Sequence, residues 1–204
     1  MNYRLSITKE EINELPLYEF EGEISLIETE AECLKAINKL KGELLLGFDT
    51  ETRASFKKGE RYDVSLLQLA TESHAYLFRL NKVGINSGLI DILSDPKVIK
   101  AGVGLRDDIK AIQKLHPFKA SNFIDLADTA KELKIENFGL RALTAICLNK
   151  RLSKKAKVSN WEKNELTPAQ VGYAACDAVV GYKIYECLCA VSYTHLTLPT
   201  TPYV

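Results

Sequence analysis

The sequence predicts an α/β fold, a sheet of mixed strand direction covered by helices. Three observations predict it. The continuous apolar stretches in residues 44–51 and 98–103 read as strands buried on both faces of a sheet. Residues 64–71 and 75–80 read as two strands joined by a short turn at Glu72-Ser73, a hairpin. Strands cluster first, one strand then stands amid helices, and the rest of the chain reads as helices only.

Each element has a local cause. Thr8 before Lys9-Glu10-Glu11-Ile12 predicts a short capped helix that stops before Pro16. Residues 24–27 read as a short strand. Thr29 with Glu32 three residues on makes a capping box, which opens a helix through Leu40. After the strand at 44–51, residues 52–61 are a polar loop before the hairpin. Residues 89–93 suit a short helix stopped near Pro96. The strand at 98–103 leads into a helix at 105–115, with Ile109, Ile112 and Leu115 at helical spacing. Residues 123–133 and 140–148 read as two more helices, separated by Asn137-Phe138-Gly139. A basic loop fills 150–157. Thr167-Pro168-Ala169-Gln170 combines a Thr cap, a proline at the first helical position and a Gln that closes the box. That helix is expected to reach Ala190.

Residues 191–204 differ in texture, rich in Thr and Pro and without amphipathic spacing. They resemble translated vector or adapter sequence and carry no functional reading. Residues 1–190 are expected to be one domain, which suits a chain of 204 residues.

Composition excludes several classes. With 46% hydrophobic and 26% charged residues the chain is ordinary globular material. No apolar run is long enough for a transmembrane helix, and the polar, acidic N-terminus lacks a signal-peptide core. Cys33, Cys147, Cys176, Cys187 and Cys189 are odd in number, with no Cys-x-x-Cys pair. That argues against zinc and for a reducing, cytoplasmic compartment. The 27 basic and 27 acidic residues cancel. Nonspecific nucleic-acid binding over the whole surface is therefore not expected, while a local basic patch remains open.

The chemistry starts at Leu44-Leu45-Leu46-Gly47-Phe48-Asp49-Thr50-Glu51. Side chains alternate along a strand, so Asp49 and Glu51 point the same way. Two acids at the end of a buried strand repel each other and lose hydration, which is costly unless a cation lies between them. Oxygen ligands suit Mg²⁺ or Mn²⁺. The plainer reading is a strand that ends in a polar, solvated turn. A two-metal phosphodiester site needs about four carboxylates from separate elements, with ions roughly 3.5–4 Å apart. A third candidate follows the strand at 98–103, in Gly104-Leu105-Arg106-Asp107-Asp108. Asp107 and Asp108 lie about 100° apart around a helix, so one at most faces such a site. Taken alone, either Asp reads first as a plain helix cap. The fourth is Asp177, inside the last helix among Gly172, Ala174, Ala175, Ala178 and Gly181. Small neighbours imply close packing, where a lone acid is costly. Tyr173 and Asp177 are four apart and share a face. The plainer reading is a core tyrosine beside a solvated acid.

Together these motifs resemble the DEDD family of 3′–5′ exonucleases, in the Tyr-containing (DEDDy) branch with ribonuclease D and Werner-type exonuclease domains. Asp49-Thr50-Glu51 matches the first motif, residues 101–108 the second, and Tyr173-Ala174-Ala175-Cys176-Asp177 the third. Val64-Ser65-Leu66-Leu67-Gln68-Leu69 and Ser159-Asn160-Trp161 support the match. The His-containing branch has a histidine where this chain has Gly172, and His74, His116 and His195 are not placed for that role. The resemblance spans about residues 25–190 and implies a ribonuclease H-like mixed sheet flanked by helices. It implies two divalent ions, Mg²⁺ or Mn²⁺, held by Asp49, Glu51, Asp108 and Asp177. Tyr173 would orient the attacking water or help deprotonate it. The implied substrate is the 3′ end of single- or double-stranded DNA, with RNA as the main alternative. The implied product is a nucleoside 5′-monophosphate. No membrane and no obligate protein partner is implied.

Substrate contacts are read from residue type. Lys150, Arg151, Lys154, Lys155 and Lys157 form a basic run, either a phosphate-steering patch or a solvated loop. Lys154, Lys155 and Lys157 are the candidates taken from it. Trp161 reads first as a packing anchor and second as a ring that stacks on a base. Phe56 and Leu66 are candidate terminal-base contacts, and Lys57, Lys58 and Arg61 are further basic groups near them. The competing functional class is a non-catalytic nucleic-acid or protein-binding module on the same fold.

Overall fold

A computed structural model describes residues 4–57, 59–154, 156 and 158–196, with side chains described as far as residue 190. A six-stranded mixed sheet organises it. The strands are β1 (Glu23–Ile27), β2 (Leu45–Thr52), β3 (Val64–Ala70), β4 (His74–Arg79), β5 (Ile99–Gly102) and β6 (Phe123–Asp125). Their order across the sheet is β1-β4-β3-β2-β5-β6. β2, β3 and β4 pair antiparallel, whereas β1 joins β4, and β5 and β6 join β2, in parallel.

The helices are α1 (Lys9–Glu14), α2 (Glu30–Leu40), α3 (Leu80–Val83), α4 (Ser87–Ser94), α5 (Leu105–Leu115), α6 (Leu126–Glu132), α7 (Leu140–Leu148) and α8 (Pro168–Leu196). Capping boxes at Thr8 and Thr29 open α1 and α2, as their sequences require. Thr167 accepts from the Gln170 backbone N–H at the start of α8 while Gln170 returns its side-chain oxygen to Thr167. The α8 backbone continues past Ala190 to Leu196, and residues 197–204 lie outside the described residues.

One expectation is corrected. Residues 123–133 are not a single helix: Phe123–Asp125 pairs with β5 as an edge strand, and the helix starts at Leu126. Asp125 is the reason. Its carboxylate accepts from the Ala127 N–H at 3.0 Å, a cap that ends the strand and begins α6.

The two faces of the sheet are covered differently. On one, Leu46, Phe48, Leu67, Leu69 and Phe78 pack under α2, α4 and α5. On the other, Leu66, Ala70, Ala75, Leu77 and Ala101 pack under α8, with α6 and α7 beyond it. Helix α8 lies very close to the strands. A Cβ on Gly47 would sit 1.9 Å from the Ala178 carbonyl oxygen, and one on Gly181 would sit 2.9 Å from that of Ala101. Glycine at these positions sets the spacing between helix and sheet. The loop entering α8 is also tied down. The buried Arg79 guanidinium pairs with Glu28 at 2.7 Å and donates to the carbonyls of Lys163 and Asn164.

Candidate active site

Gly47 meets α8, and alternation therefore turns Asp49 and Glu51 toward the same helix. On α8, Tyr173, Asp177 and Gly181 recur every fourth residue and share one face. The close approach at Gly47 and Gly181 brings the two elements together. One carboxylate oxygen each from Asp49, Glu51 and Asp177 lies within 4.8 Å of the others. Asp177 is buried, and Asp49 and Glu51 are half-buried.

Crowded acids in a desolvated place resist ionisation. Burial first, then the charges of Asp177, Glu51 and Asp108, hold the Asp49 carboxyl well above its ordinary value. This is the electrostatic strain expected of the strand end. The donor set is hard oxygen, which fits Mg²⁺ or Mn²⁺ rather than a softer metal.

Asp108 is not one of the three clustered acids. It comes from the first turn of α5, and the Thr50 hydroxyl donates to its Oδ1. Thr50 stands between Asp49 and Glu51, so the second motif is tied directly to the first. Burial raises the Asp108 carboxyl, and the Thr50 hydrogen bond opposes that rise. Asp107 points outward and is exposed.

The start of α5 is held by a residue that sequence reasoning missed. The N-cap, Gly104, has φ +78° and no side chain to cap the helix. Asp125 supplies the cap from β6. It accepts from Gly104 N at 3.0 Å and from Leu105 N at 3.1 Å. An acid before a helix signals a cap for that helix. Nothing local shows that it also caps another.

The Tyr173 phenol is hydrogen-bonded to Asp177 and held far above its ordinary pKa, by burial first and by the charges of Asp177 and Glu51 next. Its ring lies 6.3 Å from that of Trp161.

The sequence matches the family model described as 3′–5′ exonuclease over residues 24–190. The chain belongs to the 3′–5′ exonuclease family. Among relatives, it is 34% identical over 182 residues to the mouse bifunctional 3′-5′ exonuclease/ATP-dependent helicase WRN. That alignment covers 84% of this chain and 13% of the relative. It is 34% identical over 161 residues to the Drosophila melanogaster exonuclease 3′-5′ domain-containing protein 2, covering 75% of this chain and 27% of the relative. The chain therefore spans only a minor part of these relatives. Among solved structures, the Aedes aegypti Nibbler EXO domain superposes with TM-score 0.79 at 23% identity, covering 89% of this chain and 94% of that one. Escherichia coli RNase D gives 0.77 at 20% identity, covering 87% and 47%. These likenesses show the fold, the ribonuclease H-like mixed sheet flanked by helices.

In this exonuclease-family chain the acids open onto a cavity of about 730 Å³. Asp49, Glu51, Tyr173 and Asp177 line it together with Phe138, Arg141 and Lys154. Ile7, Lys9 and Ile12 from the N-terminal segment also line it. That contribution was not foreseen, because a capped amphipathic turn shows no address on the surface it will meet.

The substrate candidates separate. Lys154 is exposed and lines the cavity. Lys155 and Lys157 lie outside the described residues, as does Lys58. Phe56 is 84% exposed and belongs to a neighbouring cavity of about 310 Å³ with Arg53, Lys57 and Tyr62. The substrate reading of Leu66 is corrected, and Trp161 takes the first of its two readings, the packing anchor, over base stacking. Leu66 and Trp161 have no exposed surface and pack against Ala174 and Ala175 of α8. Neither reaches a base, because both fill the narrow layer between helix and sheet. Arg151 is an anchor rather than a steering group, since its Nε donates to the Leu15 carbonyl at 2.9 Å.

Proposed function

We propose that this chain is a metal-dependent 3′–5′ exonuclease acting on the 3′ end of DNA, with RNA as the alternative substrate. It would release nucleoside 5′-monophosphates. The observation that carries this reading is the convergence of Asp49, Glu51 and Asp177 within 4.8 Å, from two elements pressed together.

Asp49, Glu51, Asp108 and Asp177 would hold two divalent cations, Mg²⁺ or Mn²⁺. Bound there, the cations would supply hydroxide near neutral pH and offset charge on the leaving 3′ oxygen. The chain's own groups do the rest. Asp49 and Glu51 would present their ligand oxygens from the rigid strand, and Asp177 its own from the helix. Thr50 holds Asp108 in its rotamer. Burial and the charges of Asp177 and Glu51 hold the Tyr173 phenol protonated while no cation offsets them, and beside bound cations Tyr173 would orient the attacking water or help deprotonate it.

This reading takes residues 1–190 as a single exonuclease domain. Five free cysteines support a reducing compartment such as the cytoplasm. Among the described residues no helix is long and apolar enough to cross a membrane. DNA stands first on the resemblance to Werner-type domains.

The test is incubation of 5′-labelled single- and double-stranded DNA and RNA with Mg²⁺ or Mn²⁺. A ladder shortened from the 3′ end is expected, and Asp49→Ala should abolish it while the protein stays folded. No shortening of any substrate by folded protein would sink the proposal. Full activity in Asp49→Ala would point to another site.

A further inference from the structure

The cavity that the acids line also contains a cation that makes no ion pair among the described residues. Arg141 stands in the first turn of α7 and lines the cavity. Its Nε is buried without a hydrogen-bond partner, and among the described residues its guanidinium makes no ion pair. Yet Asp49, Glu51, Asp177 and Glu136 line the same cavity. A buried guanidinium N–H left unpaired is costly, so a ligand anion is its natural partner. Beside it, Phe138 leaves 43% of its surface exposed, with the Lys131 ammonium 4.8 Å from its ring centroid.

The wall is held in place. Asn137 Oδ1 accepts from Ile7 N at 2.8 Å, and Glu136 N donates to the Leu5 carbonyl at 2.8 Å. Ile12 packs against Ala145 of α7. The N-terminal segment thus pins the turn that presents Phe138 and Arg141. This segment precedes residue 24, where the family match begins.

Substrate chemistry decides which anion Arg141 can take. A 3′-terminal nucleotide ends in a hydroxyl, so beyond the scissile phosphate every other phosphate lies on its 5′ side. The scissile phosphate belongs with the acids and their cations. We propose that Arg141 and Phe138 form a subsite for the penultimate nucleotide. Arg141 takes the phosphate 5′ to the scissile one, and Phe138 stacks on the base. Stacking there requires an unpaired base, so the last two nucleotides enter as single strand. This rests on the exonuclease reading and adds the substrate's upstream contacts to it.

The test uses a single-stranded oligonucleotide with a neutral methylphosphonate at that one upstream linkage. In the wild type the replacement should raise KM about tenfold or more with kcat little changed, the weight of a charge-assisted pair. In Arg141→Gln the all-phosphate substrate should already show the raised KM, and the methylphosphonate should add less than about twofold, because the paired partner is gone. Arg141→Lys should restore part of the difference. An abasic penultimate position should show the same non-additivity with Phe138→Ala. Penalties that simply add, or an unchanged KM in Arg141→Gln, overturn the subsite. Wild-type protein that shortens no all-phosphate strand overturns the exonuclease reading instead.

Discussion

The two faces of β2 are built from opposite materials. Phe48 faces a thick layer of large side chains, including Leu67, Leu69 and Leu105, in which volume supplies stability. Gly47, one residue away, faces the α8 backbone with no side chain between them. The first face makes the sheet stable. The second places Asp177 against Asp49 and Glu51, at the cost of concentrating charge. Placement and stability are therefore separable in this chain, by substitutions at adjacent positions.

The largest expected effect comes from the charged end of the thin face. Asp49→Asn should lower kcat at least about 10³-fold by removing a ligand oxygen. It should also raise metal-free stability, by on the order of 1 kcal/mol, because like-charge repulsion is relieved. Activity assays and thermal unfolding of the same preparation check both. Tyr173→Phe keeps the ring and removes the donor. It should lower kcat about 10²-fold and leave KM unchanged, if orientation of water is the role of the phenol. An unchanged kcat in that variant would assign Tyr173 to packing with Trp161.

Gly47→Ala tests the spacing itself. The new methyl would meet the Ala178 carbonyl, so helix and strand must part. The expected stability cost is about 1–3 kcal/mol. The expected activity loss is about 10²-fold, since a displacement near 1 Å misplaces the reacting groups. Phe48→Leu is its counterpart on the thick face. It should cost about 1 kcal/mol in denaturant unfolding, yet keep kcat per folded molecule within about twofold. Equal partition between stability and activity in these two variants would break the contrast. Smallest of all, Asp107→Asn should change neither property measurably, whereas Asp108→Asn should impair catalysis, because only Asp108 is bonded to Thr50.

Much of this contrast is legible in the sequence. An apolar run that ends in Asp-x-Glu shows both the burial of β2 and the common direction of its acids. Small residues around Asp177 signal the close helix. Thr8, Thr29 and Thr167 place three helix starts by hydrogen bonding that involves only near neighbours. What the sequence hides is long-range partnership. Phe123–Asp125 has too few residues to display a strand period, and the helical spacing of Leu126, Ala130 and Leu133 extends backward over it. The cap that Asp125 gives α5 crosses about twenty residues of chain. The choice between Asp107 and Asp108 depends on the phase of α5 against β2. Leu66 is taken for a base contact and Trp161 is left with two readings, and only their position under α8 shows that both are filling space.

The central claim is that the charge gathered at Asp49, Glu51 and Asp177 is ligand charge. A carboxyl held above its ordinary value in the folded protein favours folding when protonated. That contribution is complete below the unfolded-state value and is lost as pH rises through the raised one. Metal-free protein should thus lose stability as pH climbs through that window, and a bound cation should restore it. The direct measurement is thermal unfolding with and without Mn²⁺, at pH 5 and pH 8, for wild type and Asp49→Asn. At saturation, about 100 times Kd, binding is worth about 2.7 kcal/mol. Wild type should gain several degrees, more at pH 8 than at pH 5, and Asp49→Asn should gain almost none. Equal gains in both proteins, or no gain in wild type at either pH, would contradict the claim.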